Sequence, residues 1–548
     1  MQRTLLILAL LVVVALPFAL RPRQAAPAAA DDQVIIVTPH NEAIRYEFGQ
    51  AFPRWYREHT GRTVAIDWRV LGGTSEIARF LDGEYITAFQ NRWVNRLGRP
   101  WSAAIQAGSQ NGRLPADTPA IVREARAAFL ASDVSCGIDL FFGGGTYDFA
   151  KQAAAGRFMP TAILSRRPEW FAEDVIPLKY AGEDYRDPEG RWIGCVLSSY
   201  GIIFNRDALR RLGAPQEPAQ WADLSDQRYL GEVALCDPTK SGSIAKAFEN
   251  VIQQRMQSRL TGLRAAQPAA PAKELENRAV REGWLDGLRL LQLIGANARY
   301  FTDTSQKPPI DVAAGNCAAG MCIDFYGRAQ AEAARRRSGA DRLGYISPEG
   351  GTVSSVDPIG ILRGAPHRAA AEAFIEFVLS PEGQRLWNQQ PGTPGGPERY
   401  ALRRLPVRRD YYTHAEWTPY RSDPNENPFS QKDPLIYRPE WTGGVFREMA
   451  FIIRLMCQDT HAELQAAWRE MGSDKYSAAT KDEAMGLLQD LAFVDYDRTA
   501  TGIRQALGSR NKVDEIDLAR ELAGKFREHY LGAVEILRKS RRAPNSGG

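Results

Sequence analysis

The sequence predicts an α/β protein built from two or more packed units. The chain has 548 residues, which is too long for a single hydrophobic core of ordinary size. Hydrophobic residues make up 44% and charged residues 24%, the balance of a folded globular protein. A buried apolar run, a Gly- or Ser-rich turn and an amphipathic helix follow one another three times in the first 155 residues. That repeating order indicates helices packed on a sheet.

The first three strand–turn–helix units are read from hydrophobic periodicity. Ile44, Phe48, Phe52 and Trp55 recur at helical spacing, so the segment after the first strand is a helix with one apolar face. The segment 80–131 is polar and rich in Arg, interrupts the rhythm, and is interpreted as an insertion. The predicted strands are 34–37, 63–70 and 138–142, and the predicted helices that follow them are 42–59, the segment after 75, and 147–155.

The alternation of strands and helices continues after residue 192. The apolar run 192–204 predicts one long strand, and residues 209–224 predict a helix, a Pro-bearing loop and a further helical turn. The remaining predicted strands are 232–236, 321–323 and 353–362, the predicted helices are 244–260 and 369–379, and 261–272 is a predicted loop. From about residue 421 the sequence predicts a mainly helical extension that ends in a basic tail.

The N-terminus predicts export. An apolar run, 5–20, follows Arg3 and precedes Arg21, Arg23 and an Ala-rich stretch, which is typical of a secretory signal cleaved near Ala30. Basic residues directly after the run are also compatible with an uncleaved anchor, although a spanning helix needs about 20 apolar residues. Both alternatives place residues 31–548 outside the cytoplasm, in the periplasm or an equivalent compartment, with contact to the membrane only through residues 1–30.

Charge and cysteine content exclude some classes of function. The net charge is +4, and the basic residues are interleaved with acids along the chain, so we expect no nucleic-acid partner. The six cysteines form neither a CxxC pair nor a Cys/His zinc pattern. Two alternatives stay open for them: buried free thiols, or a pairing of which Cys317 and Cys322 are closest in sequence.

Four turns between an apolar strand and a helix are candidates for holding a ligand. They are residues 38–42, 72–75, 143–146 and 239–243. A helix N-terminus exposes unpaired N–H groups, so small Ser, Thr and Gly residues at that place can cradle an anion. The same residue types also serve as simple helix caps. Four such turns together, with Lys240 as an added cation, favour a binding cleft at the carboxyl ends of the strands.

Enzyme motifs are poorly represented. Ser243 and Lys246 stand in an SxxK spacing, but the KSG element that would accompany it directly precedes Ser243 instead of lying far downstream, so we interpret the match as coincidental. HExxH, GK[ST] and GxSxG motifs are absent from the sequence. We therefore predict a protein that is not an enzyme and has no catalytic cofactor. An exported hydrolase that uses Ser243 or His40 is the less favoured alternative.

Several segments resemble bacterial extracellular solute-binding proteins of the ferric-iron-binding type. They are 221–224 (WADL), 231–243 (GEVALCDPTKSGS), 138–144 (IDLFFGG), 198–205 (SSYGIIFN) and 373–384 (AFIEFVLSPEGQ). The resemblance covers about residues 33–412 outside the insertion. It implies a type II periplasmic-binding-protein fold, in which two lobes joined by a hinge close around a ligand. The implied division is 31–195 for lobe one, 196–353 for lobe two, 354–420 for the return to lobe one, and 421–548 for the extension.

The resemblance also implies a receptor for an ABC importer, with a permease and an ATPase as separate partner chains. Ferric-binding members use His and Glu of lobe one and two adjacent tyrosines of lobe two. Hard Fe(III) prefers anionic oxygen ligands, which the carboxylate and the phenolates provide. Here His40 stands at the histidine position, while the tyrosine pair corresponds to Phe325 and Tyr326, and a phenyl ring cannot bind iron. His40, Asp324 and Tyr326 remain the candidate metal ligands if the transported ligand is Fe(III).

Other members of the same superfamily bind phosphorylated sugars, phosphonates or thiamine through Ser, Thr and Gly turns. Ferric iron and a small anionic, phosphate-bearing solute are therefore both kept as candidate ligands. A membrane-tethered sensory or scaffold protein is the alternative function. The predicted ligand-binding residues are His40, Asn41, Glu42, Gly73, Thr74, Gly144, Thr146, Ser199, Tyr200, Thr239, Lys240, Ser241, Gly242, Ser243, Asp324 and Tyr326.

Overall fold

The computed structural model describes residues 30–214, 216–431, 433–509 and 511–542. The predicted signal or anchor lies outside these residues, apart from Ala30 at its end. Within the described part of the chain, no helix is both long enough and apolar enough to cross a bilayer.

The first lobe is built on a seven-stranded mixed sheet. Its strand order is β14-β7-β13-β3-β1-β2, and β4 pairs with β13 outside this path. β1 runs parallel to both β2 and β3, whereas β13 runs antiparallel to its neighbours β3 and β7. The strands are β1 (Asp32–Val37), β2 (Val64–Arg69), β3 (Leu140–Phe142), β4 (Phe158–Met159), β7 (Ile193–Ser198), β13 (Ser355–Leu362) and β14 (Leu405–Pro406). A separate hairpin consists of β5 (Lys179–Tyr180) and β6 (Glu183–Asp184).

The second lobe is built on a five-stranded mixed sheet. Its order is β10-β9-β11-β8-β12, in which β9, β10 and β11 are mutually parallel and β8 is antiparallel to both of its neighbours. The strands are β8 (Tyr200–Asn205), β9 (Val233–Cys236), β10 (Ala298–Thr302), β11 (Ala319–Ile323) and β12 (Leu343–Ile346). The two sheets confirm the prediction of a two-lobed α/β protein.

The prediction of one long strand over 192–204 is wrong. The run divides at Ser199 into β7 and β8, which belong to different sheets. Both strands are buried along their whole length, so the apolar run carries no periodicity that marks the change of sheet. The chain returns to the first sheet between β12 and β13. Two crossings therefore join the lobes within the family-like part of the chain.

Helices cover both sheets. In the first lobe they are Glu42–Thr60, Thr74–Asn91, Ala103–Ser109, Ala120–Leu130, Thr146–Ala155, Ile163–Arg166, Arg368–Leu379 and Pro381–Asn388. In the second lobe they are Arg206–Arg211, Gly242–Ala266, Ala272–Ala296, Lys307–Ala313 and Asp324–Ser338. In the C-terminal region they are Pro439–Thr442, Phe446–Ile453, His461–Met471, Ala478–Leu488, Tyr496–Arg498, Arg504–Gly508 and Lys512–Arg542.

Two predicted segments differ from the structure. The stretch 80–131 begins inside the helix Thr74–Asn91 and is itself largely helical, and its buried Tyr85, Phe89 and Phe129 pack into the core of the first lobe. The predicted loop 261–272 is wrong over most of its length, because the preceding helix continues to Ala266 and the next begins at Ala272. Ala and Leu in this stretch are good helix formers, and Pro271 stands directly before the next helix, where its missing N–H is tolerated.

The C-terminal region completes the core of the second lobe. Trp441, Met449, Leu488 and Phe526 belong to the same buried cluster as Phe248 and the rest of the second-lobe core. Trp284 Nε1 donates to Val494 O at 2.9 Å, and Trp468 Nε1 donates to Asn297 Oδ1 at 2.9 Å. The extension is therefore an integral layer of the second lobe, and the prediction that it is mainly helical is confirmed.

The six cysteines are free thiols, and all but Cys136 are buried. Cys317 and Cys322 belong to one small apolar cluster but form no disulfide. Of the two alternatives left open by the sequence, the structure favours small buried hydrophobes.

Candidate ligand-binding site

A cleft of about 620 Å³ lies between the two lobes. The first lobe supplies the segments that follow β1, β2 and β3, and the second lobe supplies those that follow β9, β10 and β11. In open α/β sheets, ligands occupy the space beyond the carboxyl ends of the strands. The cleft is therefore where this topology places a binding site.

Most of the predicted ligand-binding residues meet in this cleft. Members from both lobes share its surface, although they lie up to 286 positions apart in the chain (326 − 40). The predicted residues that line it are His40, Asn41, Glu42, Gly73, Thr74, Gly144, Lys240, Ser241, Gly242, Ser243 and Tyr326.

Five predicted residues lie elsewhere. Thr146 and Tyr200 line a second inter-lobe chamber. Thr239 turns inward, and its hydroxyl and its backbone N–H both donate to Asp237 Oδ1 at 2.7 Å. Ser199 is buried at the crossing between the sheets, where its carbonyl accepts from Asp324 N. The sequence does not distinguish these residues from ligand-binding residues, because turns and ligand sites use the same residue types.

Asp324 is the fifth, and it corrects the metal hypothesis. The residue is 0% exposed, and Arg328 Nη2 lies 2.8 Å from its Oδ2, one helical turn away. Asp324 therefore forms a buried ion pair and does not line the cleft. Among the described residues, no three His, Cys, Asp or Glu side chains are grouped so that they could hold a metal ion. The set His40, Asp324 and Tyr326 is not brought together as predicted.

His40 lies at the floor of the cleft. Its Nε2 is 3.4 Å from Asp357 Oδ2, and its ring packs edge-on against Phe142 with centroids 4.5 Å apart. Burial lowers the pKa of His40, against the opposing effect of Asp357, so the imidazole is neutral at pH 7. A side chain on Gly143 would overlap the imidazole, so the glycine lets the strand end pass directly beneath it.

Asp357 and Arg404 form a buried pair that the sequence analysis missed. Arg404 is 1% exposed, and its Nη1 lies 2.8 Å from Asp357 Oδ2. Its Nη2 donates to Ser198 Oγ. Although burial opposes ionisation, the Arg404 guanidinium and the hydrogen bonds from His40 and Arg404 hold the pKa of Asp357 well below its ordinary value. Both residues line the cleft as a fixed, charged floor.

Phe325 stands where ferric-binding relatives would have a tyrosine, and it has a different partner here. The Arg404 guanidinium carbon lies 4.4 Å from the centroid of the Phe325 ring, which is a cation–π contact. The neighbouring Tyr326 keeps its hydroxyl beside Asn41 of the other lobe, and burial raises the pKa of Tyr326 to about 12. This tyrosine is a hydrogen-bonding group between the lobes and holds its proton at neutral pH.

The helix Glu42–Thr60 also places Arg45 in the cleft. Arg45 lies on the first turn, three residues after Glu42, and its buried Nε has no hydrogen-bond partner among the described residues. It takes part in no ion pair within that part of the chain. The sequence contained a signal for it, because residues of the first helical turn after a strand face the same space as the turn itself.

Helix N-termini from both lobes face the cleft. Asn41 caps the helix Glu42–Thr60 by accepting from Ile44 N at 3.1 Å, and Ser241 caps the helix Gly242–Ala266. Lys240 is exposed beside the second cap and forms no ion pair with the described residues. The lobes approach closely here, since a Cβ on Gly73 would lie 3.4 Å from Lys240 O. The partial positive charges of two helix N-termini and the two cations without an ion pair, Arg45 and Lys240, therefore face the same cleft.

The SxxK spacing does not supply a general base. Lys246 Nζ lies 2.6 Å from Glu183 Oε1 and 2.9 Å from Glu249 Oε2. Although burial opposes the charge, these two carboxylates raise the pKa of Lys246 well above its ordinary value. A lysine that keeps its proton cannot take one from Ser243.

Comparison with known families agrees with this geometry. Residues 134–406 match the family described as "Bacterial extracellular solute-binding protein". This segment includes the strand ends of the second lobe, the buried crossing at Ser199 and Asp357.

Three curated relatives match parts of the chain. An uncharacterized protein of Haemophilus influenzae is 25% identical over 256 residues, 46% of this chain and 61% of the relative. The phosphoglycerate transport regulatory protein PgtC of Salmonella typhimurium is 24% identical over 196 residues, 35% of this chain and 40% of the relative. Iron uptake protein A2 of Synechocystis is 28% identical over 226 residues, 39% of this chain and 56% of the relative. The chain thus spans 40–61% of the length of these relatives.

Proposed function

We propose that this chain, whose residues 134–406 match the bacterial extracellular solute-binding proteins, is the receptor of an ABC importer for a small anionic, phosphate-bearing solute. The protein captures the solute outside the cytoplasm and delivers it to a permease and an ATPase on separate chains. Binding requires no chemical step. Affinity comes from a cleft whose two walls lie on different lobes.

The observation that carries the proposal is the unpaired guanidinium of Arg45. A buried or half-buried cation without a carboxylate partner is costly, so its counter-charge belongs to whatever fills the cleft. A guanidinium can donate two parallel hydrogen bonds to phosphate or carboxylate. Lys240 faces the same space from the second lobe and supplies a second cation.

Two further features support an oxyanion. The caps at Asn41 and Ser241 leave backbone N–H groups of two long helices at the cleft surface. One relative is by name a phosphoglycerate transport regulatory protein, which is consistent with a phosphate ester as ligand. Of the acids that line the cleft, Glu42 and Asp303 are exposed, Glu76 is paired with Arg79, and Asp357 is paired with Arg404.

Ferric iron is the second candidate, and the lining of the cleft by both His40 and Tyr326 favours it. One relative is an iron uptake protein by name. His40 and Tyr326 provide two donors, fewer than a closed metal site uses, so iron would arrive with an exogenous chelating anion such as citrate. In that case the same cations, Arg45 and Lys240, would bind the chelator.

The deciding experiment is isothermal titration calorimetry on the mature, metal-stripped protein. The ligands are 3-phosphoglycerate, glucose 6-phosphate, citrate and Fe(III)–citrate. We expect a phosphate ester to bind, and Arg45→Gln to weaken it roughly 10- to 100-fold, because a charge-assisted hydrogen bond contributes about 1.5–3 kcal/mol. Arg57→Gln, an exposed arginine of the same helix, is the matched control and should bind as the parent does.

Two results would redirect the assignment. Tighter binding of Fe(III)–citrate than of citrate alone, with the difference abolished by Tyr326→Phe, establishes the iron receptor. If no compound binds and the mature protein retains residues 1–30 in the membrane fraction, as mass spectrometry would detect, the tethered sensory or scaffold alternative replaces the transport receptor. Recovery of a processed chain from the periplasmic fraction supports the exported form.

A further inference from the structure

A second chamber of about 480 Å³ lies between the lobes beside the cleft. The two spaces share Gly144, Gly242, Ser243 and Asp357, so one molecule can occupy both. The first lobe, the second lobe and the C-terminal region all contribute walls to it. We call it the second chamber below.

The second chamber contains a carboxylate without an ion pair, whereas the cleft contains two cations without one among the described residues. Asp148 lies in the first turn of the helix Thr146–Ala155 and forms neither an ion pair nor a hydrogen bond with the described residues. Its Oδ2 faces the other lobe, 3.5 Å from where a Cβ on Gly242 would stand. Burial raises the pKa of Asp148 to about 6, yet it remains largely ionised at pH 7. The carboxylates on the chamber wall are Asp148, Glu183, Asp184, Glu249 and Asp357, and the ammonium groups are Lys151 and Lys246.

Among the described residues, Asp148 is the carboxylate of this wall without an ion pair, because Asp184 pairs with Lys179 and Asp357 pairs with Arg404. Lys246 is held between Glu183 and Glu249, and its Nζ lies 3.2 Å from the centroid of the Tyr437 ring. Glu183 and Glu249 thus share one ammonium group as their partner. Lys151 is exposed, so solvent screens its effect on Asp148. An anion would therefore be repelled here, whereas a cation would be attracted.

Aromatic side chains form the rest of the wall. Tyr147 and Phe446 pack against each other with ring centroids 4.8 Å apart, and the C-terminal region supplies Phe446. Aromatic faces attract organic cations, with the strongest effect where water is excluded. The aromatic residues on the wall are Tyr147, Trp192, Tyr200, Tyr437 and Phe446.

Buried polar atoms without partners also point to a ligand. Ser355 is 6% exposed, and its Oγ has no hydrogen-bond partner among the described residues. Trp192 and Tyr200 are each 4% exposed, and the Trp192 indole N–H and the Tyr200 hydroxyl form no hydrogen bond within the same part of the chain. Buried polar groups are nearly always paired, so the unpaired Ser355 Oγ on the chamber wall indicates a missing polar partner.

We infer that the second chamber holds an ammonium group, and that the ligand is a phosphate ester which carries an organic cation. This inference rests on the proposed function, because the phosphate occupies the cleft. The unpaired carboxylate of Asp148 faces the ammonium group, the aromatic wall surrounds it, and Ser355 Oγ accepts from it or from a neighbouring hydroxyl. The C-terminal region thus becomes part of the binding site through Tyr437 and Phe446.

The test compares ligands that differ only in the cation. Calorimetry on the mature protein uses three pairs: phosphoethanolamine with ethyl phosphate, phosphocholine with 3,3-dimethylbutyl phosphate, and glucosamine 6-phosphate with glucose 6-phosphate. We expect the cationic member of at least one pair to bind 10-fold or more tightly than its neutral partner. Asp148→Asn should remove that preference, so that the two members of the pair bind with nearly equal affinity.

Two further variants separate the site from general effects. Tyr147→Leu removes a half-exposed part of the aromatic wall and should also reduce the cation preference. Glu382→Gln removes an exposed first-turn acid from the helix Pro381–Asn388, far from the wall, and serves as the matched control. Equal affinities within every pair, with binding still dependent on Arg45, would overturn this inference and leave the proposed function intact. Absence of binding by every phosphate ester would overturn both.

Discussion

Lys246 Nζ of the second lobe lies 2.6 Å from Glu183 Oε1 of the first-lobe hairpin, and both side chains are buried. The pair joins the lobes behind the cleft. Because Glu249 and the Tyr437 ring also contact Lys246, one ammonium group links two lobes and the C-terminal region. Replacing it tests how strongly that junction holds the three parts together.

Lys246→Met should lower the free energy of unfolding by about 3–5 kcal/mol, because it leaves Glu183 and Glu249 buried without a counter-charge. Urea unfolding followed by far-UV circular dichroism measures the change. Lys539→Met breaks an exposed pair with Glu535 and should change stability by less than about 1 kcal/mol. Equal effects of the two substitutions would mean that the junction contributes nothing beyond a surface pair.

Gly73→Leu should hold the lobes apart. The backbone of Gly73 is in an extended conformation that any residue adopts, but an added side chain meets Lys240 O across the cleft. We expect at least about a 10-fold loss of ligand affinity and a larger radius of gyration by small-angle scattering, with the free energy of unfolding changed by about 0.5 kcal/mol or less. Gly83→Leu, on the exposed side of the same helix, should leave affinity and radius unchanged.

Asp357 should make the protein less stable in acid. Its pKa in the folded protein lies below the ordinary value of 3.8, so the unfolded chain takes up the proton first as the pH falls. The stability that the group contributes is complete well above pH 3.8 and is lost as the pH falls through and below that value. Urea unfolding between pH 5 and pH 3 should show a smaller slope in Asp357→Asn, which should also be about 3 kcal/mol less stable at pH 7 because Arg404 loses its counter-charge.

Gly182→Ala should loosen the C-terminal region from the first lobe. Gly182 has a φ of +83°, and an added Cβ would overlap the carbonyl oxygen of Tyr437. Gly61→Ala is the matched control, since Gly61 has a φ of +70° with no atom within 4 Å of such a Cβ. The control should lose about 1 kcal/mol from its backbone alone. Gly182→Ala should lose about 1–3 kcal/mol more and increase proteolysis near residue 437.

The strand–turn–helix pattern predicts which residues lie together at the strand ends. His40, Gly73 and Ser241 stand at strand ends, and the carboxyl ends of neighbouring strands must meet. The same reasoning selected Asp324, because helix-start acids and ligands look alike in sequence. The spacing to Arg328, four residues on, was the available sign of an ion pair.

Other residues gave no local signal. Arg404 follows the helix Pro381–Asn388 in an irregular segment, and its partner Asp357 lies 47 positions earlier, so only the tertiary fold joins them. The second chamber is even harder to predict from the sequence, because Tyr437 and Phe446 come from an extension that the family resemblance does not cover. Periodicity identifies which face of an element is buried, but it cannot identify which distant element covers that face.

The interleaved cores have a consequence for how the chain matures. The first-lobe core draws on residues 34–197 and 356–407, whereas the second-lobe core draws on 200–325 and then on 441–537. Since synthesis proceeds from the N-terminus, the first lobe has all its parts once residue 407 has emerged. The second lobe must wait for a further 130 residues (537 − 407), with the apolar surface around Phe248 and Trp284 uncovered in the meantime. The second lobe, and with it the binding cleft, is therefore completed only when the last segment has been synthesised. A chain that stops before this segment exposes apolar core surface, which chaperones and proteases recognise.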